Sequence, residues 1–517
     1  MPPALSPPPE SYDSWSRDQL ISRLNHLDQL HTRRPQSQPP KHVNTPFNFA
    51  AHPKRKIALK LCYHGSEYSG MEFQKLPTAL PTVEKVLFDA MAKTKLVDGE
   101  AGLEGCGWER CGRTDKGVSA AQQVVSLWVR SALTSSNVEP SEPKPTSAPQ
   151  ETQDQTVSAM SEEFGMMGDW DEPPSNTVRK RPLEEPTELR YVSSLNNVLP
   201  PSIRILAWSP VADDFSARFN CRFRHYKYFF TSDGLDIAAM RDAASRLVGE
   251  HDFRNLCKVD PGKQLTSFRR KILQATVNPV ENDGSKLYVF DLKGTAFLYN
   301  QVRHIMAVLF LVGTNLEHPS LVSALLNTDP ENPYPPYAPN ELAPPVVTTK
   351  PSYQMADGLP LVLWDCGYSD SDVRWHTDPE FPEGSPISQR DLASNIINTL
   401  RDIHDRALLR LTIDSHFLAA AAQYHQPPTQ YFPLNREDAP EIPKGTTLSV
   451  PLGGGTYRRG ARYERVLERT RLASVEDVNE RWRTGKGAKR WAKVLEKRAA
   501  TASDSGAEAE SAAPDAA

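Results

Sequence analysis

Arg110-Cys111-Gly112-Arg113-Thr114-Asp115-Lys116-Gly117-Val118-Ser119-Ala120 puts one acid in a tight turn, with glycines three residues before it and two after. Asp115 is the only carboxylate between Glu109 and Glu139, and Arg110, Arg113 and Lys116 crowd it in the sequence. Nearby positive charge lowers a carboxylate pKa, so this pattern predicts an Asp115 held ionised. An Asp in a glycine-flanked turn ordinarily bonds adjacent backbone N–H groups, and that task needs no cations. The apolar, β-rich run Gln123 to Val129 follows at once and reads as a strand. The turn is therefore tied to a sheet, a rigid place for a functional carboxylate.

Working outward, Ile57, Leu59 and Leu61 alternate with Ala58, Lys60 and Cys62, as in a half-buried strand. A glycine-punctuated loop, Tyr63 to Gly70, ends near Gln74. Thr82 caps a predicted helix whose apolar stripe is Val83, Val86, Leu87, Ala90 and Met91. This order of strand, helix and strand places the acid at a strand's edge. Downstream, Ile203 to Trp208 and Arg222 to Phe230 read as strands, and the period of two sets Tyr226 and Tyr228 on one face. A helix over Asp236 to Gly249, strands over Ser267 to Val277 and Lys286 to Leu292, an apolar helix from Ala296 to about Gly313 and a strand over Leu359 to Cys366 complete the core. The residue pattern alone supports a mixture of strands and helices, an α/β (α+β) class.

The flanking segments differ in composition. Residues 1–53 are Pro-rich and read as disordered, apart from a short amphipathic helix over Ser16 to His31. Residues 134–188 carry 12 acidic and 4 basic residues, the signature of a disordered insertion. Residues 367–498 form an extension with a helix predicted over Gln389 to Leu409. Its stretch 451–498 has 14 basic and 6 acidic residues, either a solvated helix face or a contact for an RNA backbone. The tail 499–517 reads as disordered.

With 38% hydrophobic residues and 45 prolines in 517, sizeable segments are expected to stay unpacked. The formal charge of −4 gives no global basic field, so nucleic-acid binding must come from a local patch. The six cysteines lack C-x-x-C spacing, which argues for reduced thiols and against structural zinc. The N-terminal residues have no secretory h-region, and the longest apolar run, Ile305 to Val312, is too short to span a membrane.

The turn resembles the signature loop of the TruA-type tRNA pseudouridine synthases, Gly-Arg-Thr-Asp-x-Gly-Val, here Gly112 to Val118. Three more patches strengthen the resemblance, in the family's order. They are Tyr63-x-Gly65-x-x-Tyr68-x-Gly70-x-x-x-Gln74, Arg224-x-Tyr226-x-Tyr228 and Phe297-Leu298-x-x-Gln301-Val302-Arg303. Asn196 to Pro201 and Pro360 to Cys366 are similar to strings of its eukaryotic branch, which acts on tRNA positions 38 and 39. One departure is Met71, where the family usually carries an aromatic.

The resemblance implies two ferredoxin-like halves, about 54–200 and 201–366, forming one mostly antiparallel sheet with helices outside and an RNA-binding cleft. It implies Asp115 as the catalytic carboxylate, Tyr226 against the target base and Arg303 paired with the aspartate. Arg110, Arg113, Lys116, Arg218, Tyr228 and Gln301 are the expected substrate-binding residues. No cofactor or metal is expected, because isomerising uridine to pseudouridine involves no redox change. The expected partners are the tRNA anticodon arm and a second copy of the chain, with no membrane. The short basic runs Lys54 to Lys56 and Arg179 to Arg181 suit nuclear import, giving an expected distribution between nucleus and cytoplasm. Two alternatives stay open: a catalytically silent RNA-binding or tRNA-chaperone protein of this fold, and a synthase acting on other RNA positions.

Overall fold

A computed structural model describes residues 16–18, 20–21, 47–133, 188–280, 286–378, 395–437, 439–453 and 455–496. The chain divides into a unit up to Ala51 and a unit from His52 onward. In the first, 17–18 and 20–21 are helical with Leu20 and Ile21 exposed, and the rest of the helix expected over Ser16 to His31 lies outside the described residues. The acidic insertion and the tail expected from residue 499 also lie outside them.

The second unit runs β1 (Lys54–Tyr63), α1 (Val83–Lys93), α2 (Gly102–Gly105), β2 (Glu109–Arg110), β3 (Ser119–Arg130), α3 (Tyr191–Asn196), β4 (Ile203–Pro210), β5 (Phe223–Thr231), α4 (Ile237–Ser245), β6 (Gly249–Asp252), β7 (Arg269–Pro279), β8 (Leu287–Gly294), α5 (Gln301–Gly313), α6 (Ser320–Leu326) and β9 (Leu361–Gly367). The extension adds α7 (Ile396–Ala422), the hairpin β10 (Thr447–Ser449) and β11 (Thr456–Arg458), and α8 (Val475–Thr484). No described helix is long and apolar enough to cross a membrane.

One sheet, ordered β4-β1-β3-β9-β5-β8-β7-β6 with β2 also on β3, organises the molecule. Every pairing in it is antiparallel except β3 with β9, where Ser119 faces Val362 and Ala120 faces Leu363. The Asp115 turn enters β3 immediately before that parallel join, so it lies where the two sides of the sheet meet. β4 hydrogen-bonds β1, which corrects the expected boundary at residue 200: Ile203–Pro210 belongs with the first half.

The alternation read in β1 holds from Leu59 onward: Ala58 is buried together with Ile57, while Lys60 and Cys62 are half-buried and Leu59, Leu61 and Tyr63 are buried. Their face packs with Val83, Leu87, Ala90 and Met91 of α1, which Thr82 caps by accepting from the Lys85 N–H. Burying each such aliphatic side chain contributes about 1.5–3 kcal/mol. Helix α5 is apolar all round and correspondingly central: every residue in it is buried except Arg303. It starts at Gln301, later than the predicted Ala296.

The extension is integrated with this core. Phe432, Val450 and Val466 are buried in it. The buried Glu317, just beyond α5, accepts from the Tyr463 hydroxyl at 2.9 Å and the Val466 N–H at 2.7 Å. Helix α7 differs. It is longer than predicted and buries none of its residues. At the insertion, Glu188 closes the chain: its carboxylate accepts from the Ser131 hydroxyl at 2.8 Å and the Ala132 N–H at 2.9 Å, and pairs with Arg55 at 2.7 Å. These contacts hold its carboxyl below the usual range against the opposing effect of burial.

Candidate active site

Four segments fasten the Asp115 turn. The Tyr63 hydroxyl hydrogen-bonds Thr114 Oγ1 at 2.7 Å, Gln123 Nε2 donates to Gly112 O at 2.8 Å, and the Met71 N–H donates to Thr114 O at 3.1 Å. Met71 is fully buried, so this departure from the family pattern still fills its place. Arg224 Nη2 donates to the carbonyls of Cys111 and Arg218, both at 2.9 Å, and its Nη1 donates to Thr295 O at 3.0 Å. One guanidinium thus ties three loops together. Gly65 allows the closest approach, because a Cβ there would lie 2.2 Å from the Val118 carbonyl.

Arg303 projects from the first turn of α5 and places Nη1 3.2 Å from Asp115 Oδ2. Its Nε donates to Ala356 O at 2.9 Å, and the Ala356 N–H returns to Arg303 O at 3.2 Å. The loop carrying Ala356 is held in turn by the Tyr228 hydroxyl, which donates to Asp357 O at 2.9 Å, and by the Asp357 N–H, which donates to Leu452 O at 2.8 Å. The extension therefore reaches the active-site loop.

Asn300 is the second group on the aspartate. It caps α5 in the left-handed region, φ 57°, and its Nδ2 donates to Asp115 Oδ2. Its carbonyl accepts from His304 N at 3.1 Å and bonds His304 Nδ1 at 3.0 Å. Burial pushes the His304 imidazole down to about 3, so the ring is neutral and Nδ1–H is the donor. Both donors on Asp115 lie on Oδ2, leaving Oδ1 for a substrate, and a quarter of the side chain is open to solvent. The N-terminus of α5 adds its partial positive charge beside the carboxylate.

Tyr226 is nearly buried, edge-on to Phe297 at 4.9 Å and within the electrostatic reach of Asp115. Burial raises its phenol far above the ordinary tyrosine value, so the hydroxyl holds its proton.

The expected ring of cations is different. Arg110 pairs with the buried Glu84 at 3.1 Å and with Glu72 at 3.4 Å, and Arg113 pairs with Glu72 at 2.7 Å. Glu84 also accepts from the Phe73 N–H and from Trp108 Nε1, each at 2.8 Å. Arg110 and Arg113 thus face glutamates, and the cation on Asp115 is Arg303. Arg113, Lys116 and Arg218 are exposed around the turn. Tyr228 and Gln301, expected to bind substrate, are buried, and each makes a supporting contact. Tyr228 holds the Asp357 loop, and Gln301 Oε1 accepts from the Leu298 N–H at 2.8 Å, shaping the entry to Asn300. Arg224 and Asn300 were not singled out from sequence. The only sequence signal for either was its place inside a motif. All six cysteines are free thiols.

A family profile described as tRNA pseudouridine synthase matches residues 243–369, which include Asn300 and Arg303 but not Asp115. The chain is 40% identical over 357 residues to a tRNA pseudouridine(38/39) synthase of Bos taurus, covering 68% of this chain and 62% of that relative. It is 37% identical over 383 residues to the protein of the same name from Saccharomyces cerevisiae, covering 70% of this chain and 72% of that relative. It is 30% identical over 325 residues to a tRNA pseudouridine synthase A of Methanothrix thermoacetophila, covering 86% of that relative. The chain thus spans less than two thirds of the length of the bovine relative.

Proposed function

Given that this chain belongs to the tRNA pseudouridine synthase family, we propose that it isomerises uridine to pseudouridine at positions 38 and 39 of the tRNA anticodon arm. The observation that carries the proposal is the Asp115 carboxylate held on one oxygen by Arg303 and Asn300. The relatives' names support the positions.

The reaction breaks the N1–C1′ bond, turns the uracil and joins C5 to C1′; C5 gives up its proton and N1, freed from the sugar, takes one up. Nothing is oxidised or reduced. The free Asp115 Oδ1 is the nucleophile, at ribose C1′ or base C6. Arg303 and Asn300 fix its direction, which reduces the reorganisation needed in the transition state. The target base must leave its stack at a cost of a few kcal/mol, and the aromatic pair Tyr226 and Phe297 offsets part of it.

The test measures pseudouridine formation on an anticodon stem-loop, wild type against Asp115→Ala, with RNA binding measured in parallel. Turnover at 38 and 39 by the wild type, and binding without turnover by the variant, support the proposal. Wild-type binding without turnover would favour the silent RNA-binding protein, and turnover by the variant would remove Asp115 from its role.

Two finer expectations belong here. We infer a homodimer. Helix α7 exposes Ile397, Leu408, Leu411 and Leu418 at coiled-coil spacing. Antiparallel pairing centred between Ala407 and Leu408 sets Arg401 opposite Asp414 and Asp405 opposite Arg410. Light scattering should show a dimer that Leu408→Glu with Leu411→Glu converts to monomer, and a monomeric wild type would end the idea. A distribution between nucleus and cytoplasm is also proposed. Lys54 to Lys56 is a poor import signal, being strand β1 with Arg55 bound to Glu188. Arg179 to Arg181 lies outside the described residues, and replacing it with alanines should exclude a tagged protein from the nucleus.

A further inference from the structure

Tyr299 immediately precedes the asparagine that holds Asp115, and its side chain is 42% exposed. Two ammonium groups flank the ring: Lys258 Nζ lies 5.7 Å and Lys263 Nζ 6.0 Å from its centroid. Contact with a ring face comes at roughly 3.5–4 Å, so neither ammonium is in van der Waals contact with the ring. The Lys258 N–H donates to Tyr299 O at 2.9 Å, which fixes the two segments together.

Lys263 ends a single 3-10 turn, Pro261–Lys263, whose Gly262 N–H is capped by the Asp260 carboxylate at 3.1 Å. The extension braces that turn. Gln264 Nε2 donates to Asn479 O of α8 at 3.4 Å, and Asn479 Nδ2 returns to Leu265 O at 3.4 Å. The Trp482 ring closes against Gly262, where an added Cβ would meet it at 4.0 Å.

The charge around Lys263 is unbalanced in a particular way. Asp260 at 3.9 Å and Glu72 attract it, while Arg113, itself paired with Glu72, and Arg218 repel it. Burial and these two guanidinium groups hold its ammonium below the usual lysine range. Cations gathered beside an exposed aromatic ring are relieved by a polyanion that also offers a flat face. A nucleotide has both.

We propose that Tyr299, Lys258 and Lys263 form a subsite for the nucleotide adjacent to the isomerised uridine, its base stacked on Tyr299 and its phosphates held by the two lysines. This rests on the function proposed above. The energetic reason is direct. When the target uridine leaves the helix, its neighbour loses a stacking partner, and Tyr299 replaces it. Lysine suits the phosphates because it acts as a mobile point charge with three donors. Helix α8 then has a function: it braces the turn that carries Lys263 beside Tyr299.

The test is a cycle between protein and RNA. Direct binding and single-turnover rates are measured for wild type, Tyr299→Ala and Tyr299→Phe. The substrates are an intact anticodon stem-loop and two versions with an abasic ribose, one 5′ and one 3′ of the target uridine. On intact RNA, Tyr299→Ala should weaken binding roughly 10- to 100-fold, and Tyr299→Phe should restore most of it. On one of the abasic substrates the Tyr299→Ala penalty should vanish. Lys263→Ala should make the dependence of log Kd on log salt shallower by about one phosphate's share, roughly 0.7–0.9. A Tyr299→Ala protein that binds like wild type, or a penalty unchanged on both abasic substrates, would overturn the subsite. Because binding is read directly, a wild type that binds without isomerising would defeat the enzymatic reading and still leave the subsite tested.

Discussion

Asp115 Oδ2 and Arg303 Nη1 stand 3.2 Å apart although 188 residues separate them in the chain. One comes from the turn entering β3 and the other from the first turn of α5. The sheet joins their two sides only through the parallel pairing of β3 with β9. The ion pair is therefore a readout of how the two sides are docked.

Arg303→Lys should expose this dependence. A lysine keeps the charge, but its single ammonium cannot hold Ala356 O and Asp115 in the fixed fork that a guanidinium provides. A hydrogen bond to a charged group is worth about 1.5–3 kcal/mol, so kcat should fall by roughly 10- to 100-fold. RNA affinity should change little. Single-turnover kinetics measure both, and an unchanged rate would mean that Arg303 does not orient the carboxylate.

Asn300 allows two contributions to be separated. Asn300→Gly and Asn300→Ala both delete the amide on Asp115, so both should slow turnover by about tenfold. Only alanine must also occupy the left-handed region, at roughly 1–2 kcal/mol. Thermal unfolding should therefore show a lower Tm for Asn300→Ala than for Asn300→Gly. Equal Tm values would contradict the strained cap.

Gly65→Ala tests the fastening of the turn from below. The new methyl would overlap the Val118 carbonyl at 2.2 Å and the Gly117 carbon at 2.7 Å, all of it backbone that cannot swing aside. A loss of about 3 kcal/mol in urea unfolding is expected. A variant as stable as wild type would show that the end of β1 and the turn separate easily.

His304 gives the fold a pH dependence of known sign. Its folded value is pushed down to about 3 by burial, with Lys350, Arg303 and Lys258 adding to the effect, against about 6.5 in the unfolded chain. The unfolded chain therefore takes up a proton below pH 6.5 that the folded chain refuses. The contribution is fully present above pH 6.5 and is lost as pH falls toward 3, by up to about 1.4 kcal/mol per unit. His304→Asn keeps a donor for the Asn300 carbonyl and removes the titration. Urea midpoints between pH 6.5 and 4.5 should then fall less steeply for the variant, and parallel curves would argue against a buried neutral imidazole.

The extension should matter to the core as well. Tyr463→Phe removes one of the two donors on the buried Glu317, whose carboxyl burial already raises. A loss of about 1–3 kcal/mol is expected in urea unfolding. No change would mean that water replaces the hydroxyl.

What the sequence conveyed was local. The alternation of β1, the Thr82 cap and the stripe of α1 are read from neighbouring residues; the cap and the stripe are present, and the alternation holds except at Ala58, which is buried. Tyr226 and Tyr228 were placed on one face, and both are buried. Periodicity cannot say which of two such residues ends near the carboxylate and which supports a loop. Arg110 and Arg113 flank Asp115 in the sequence but pair elsewhere, because their partners, Glu72 and Glu84, lie upstream of the turn and reach it only through the fold. Asn300 escaped notice because a left-handed backbone leaves no periodic trace. The extension was read by charge, whereas Val450 and Val466 contribute to the core by burial.

The Glu188 clasp has a practical consequence. It brings Ser131, Ala132 and Glu188, which flank the 134–187 segment, together beside Arg55, after β3 has run its 12 residues away from the Asp115 turn. At about 3.3 Å per residue, that point lies nearly 40 Å along the strand from the carboxylate. Loop-closure entropy grows only slowly with length, so the clasp works as a port whose cargo can be exchanged. A fluorescent or affinity domain spliced between residues 134 and 187 should ride on the enzyme without changing its chemistry.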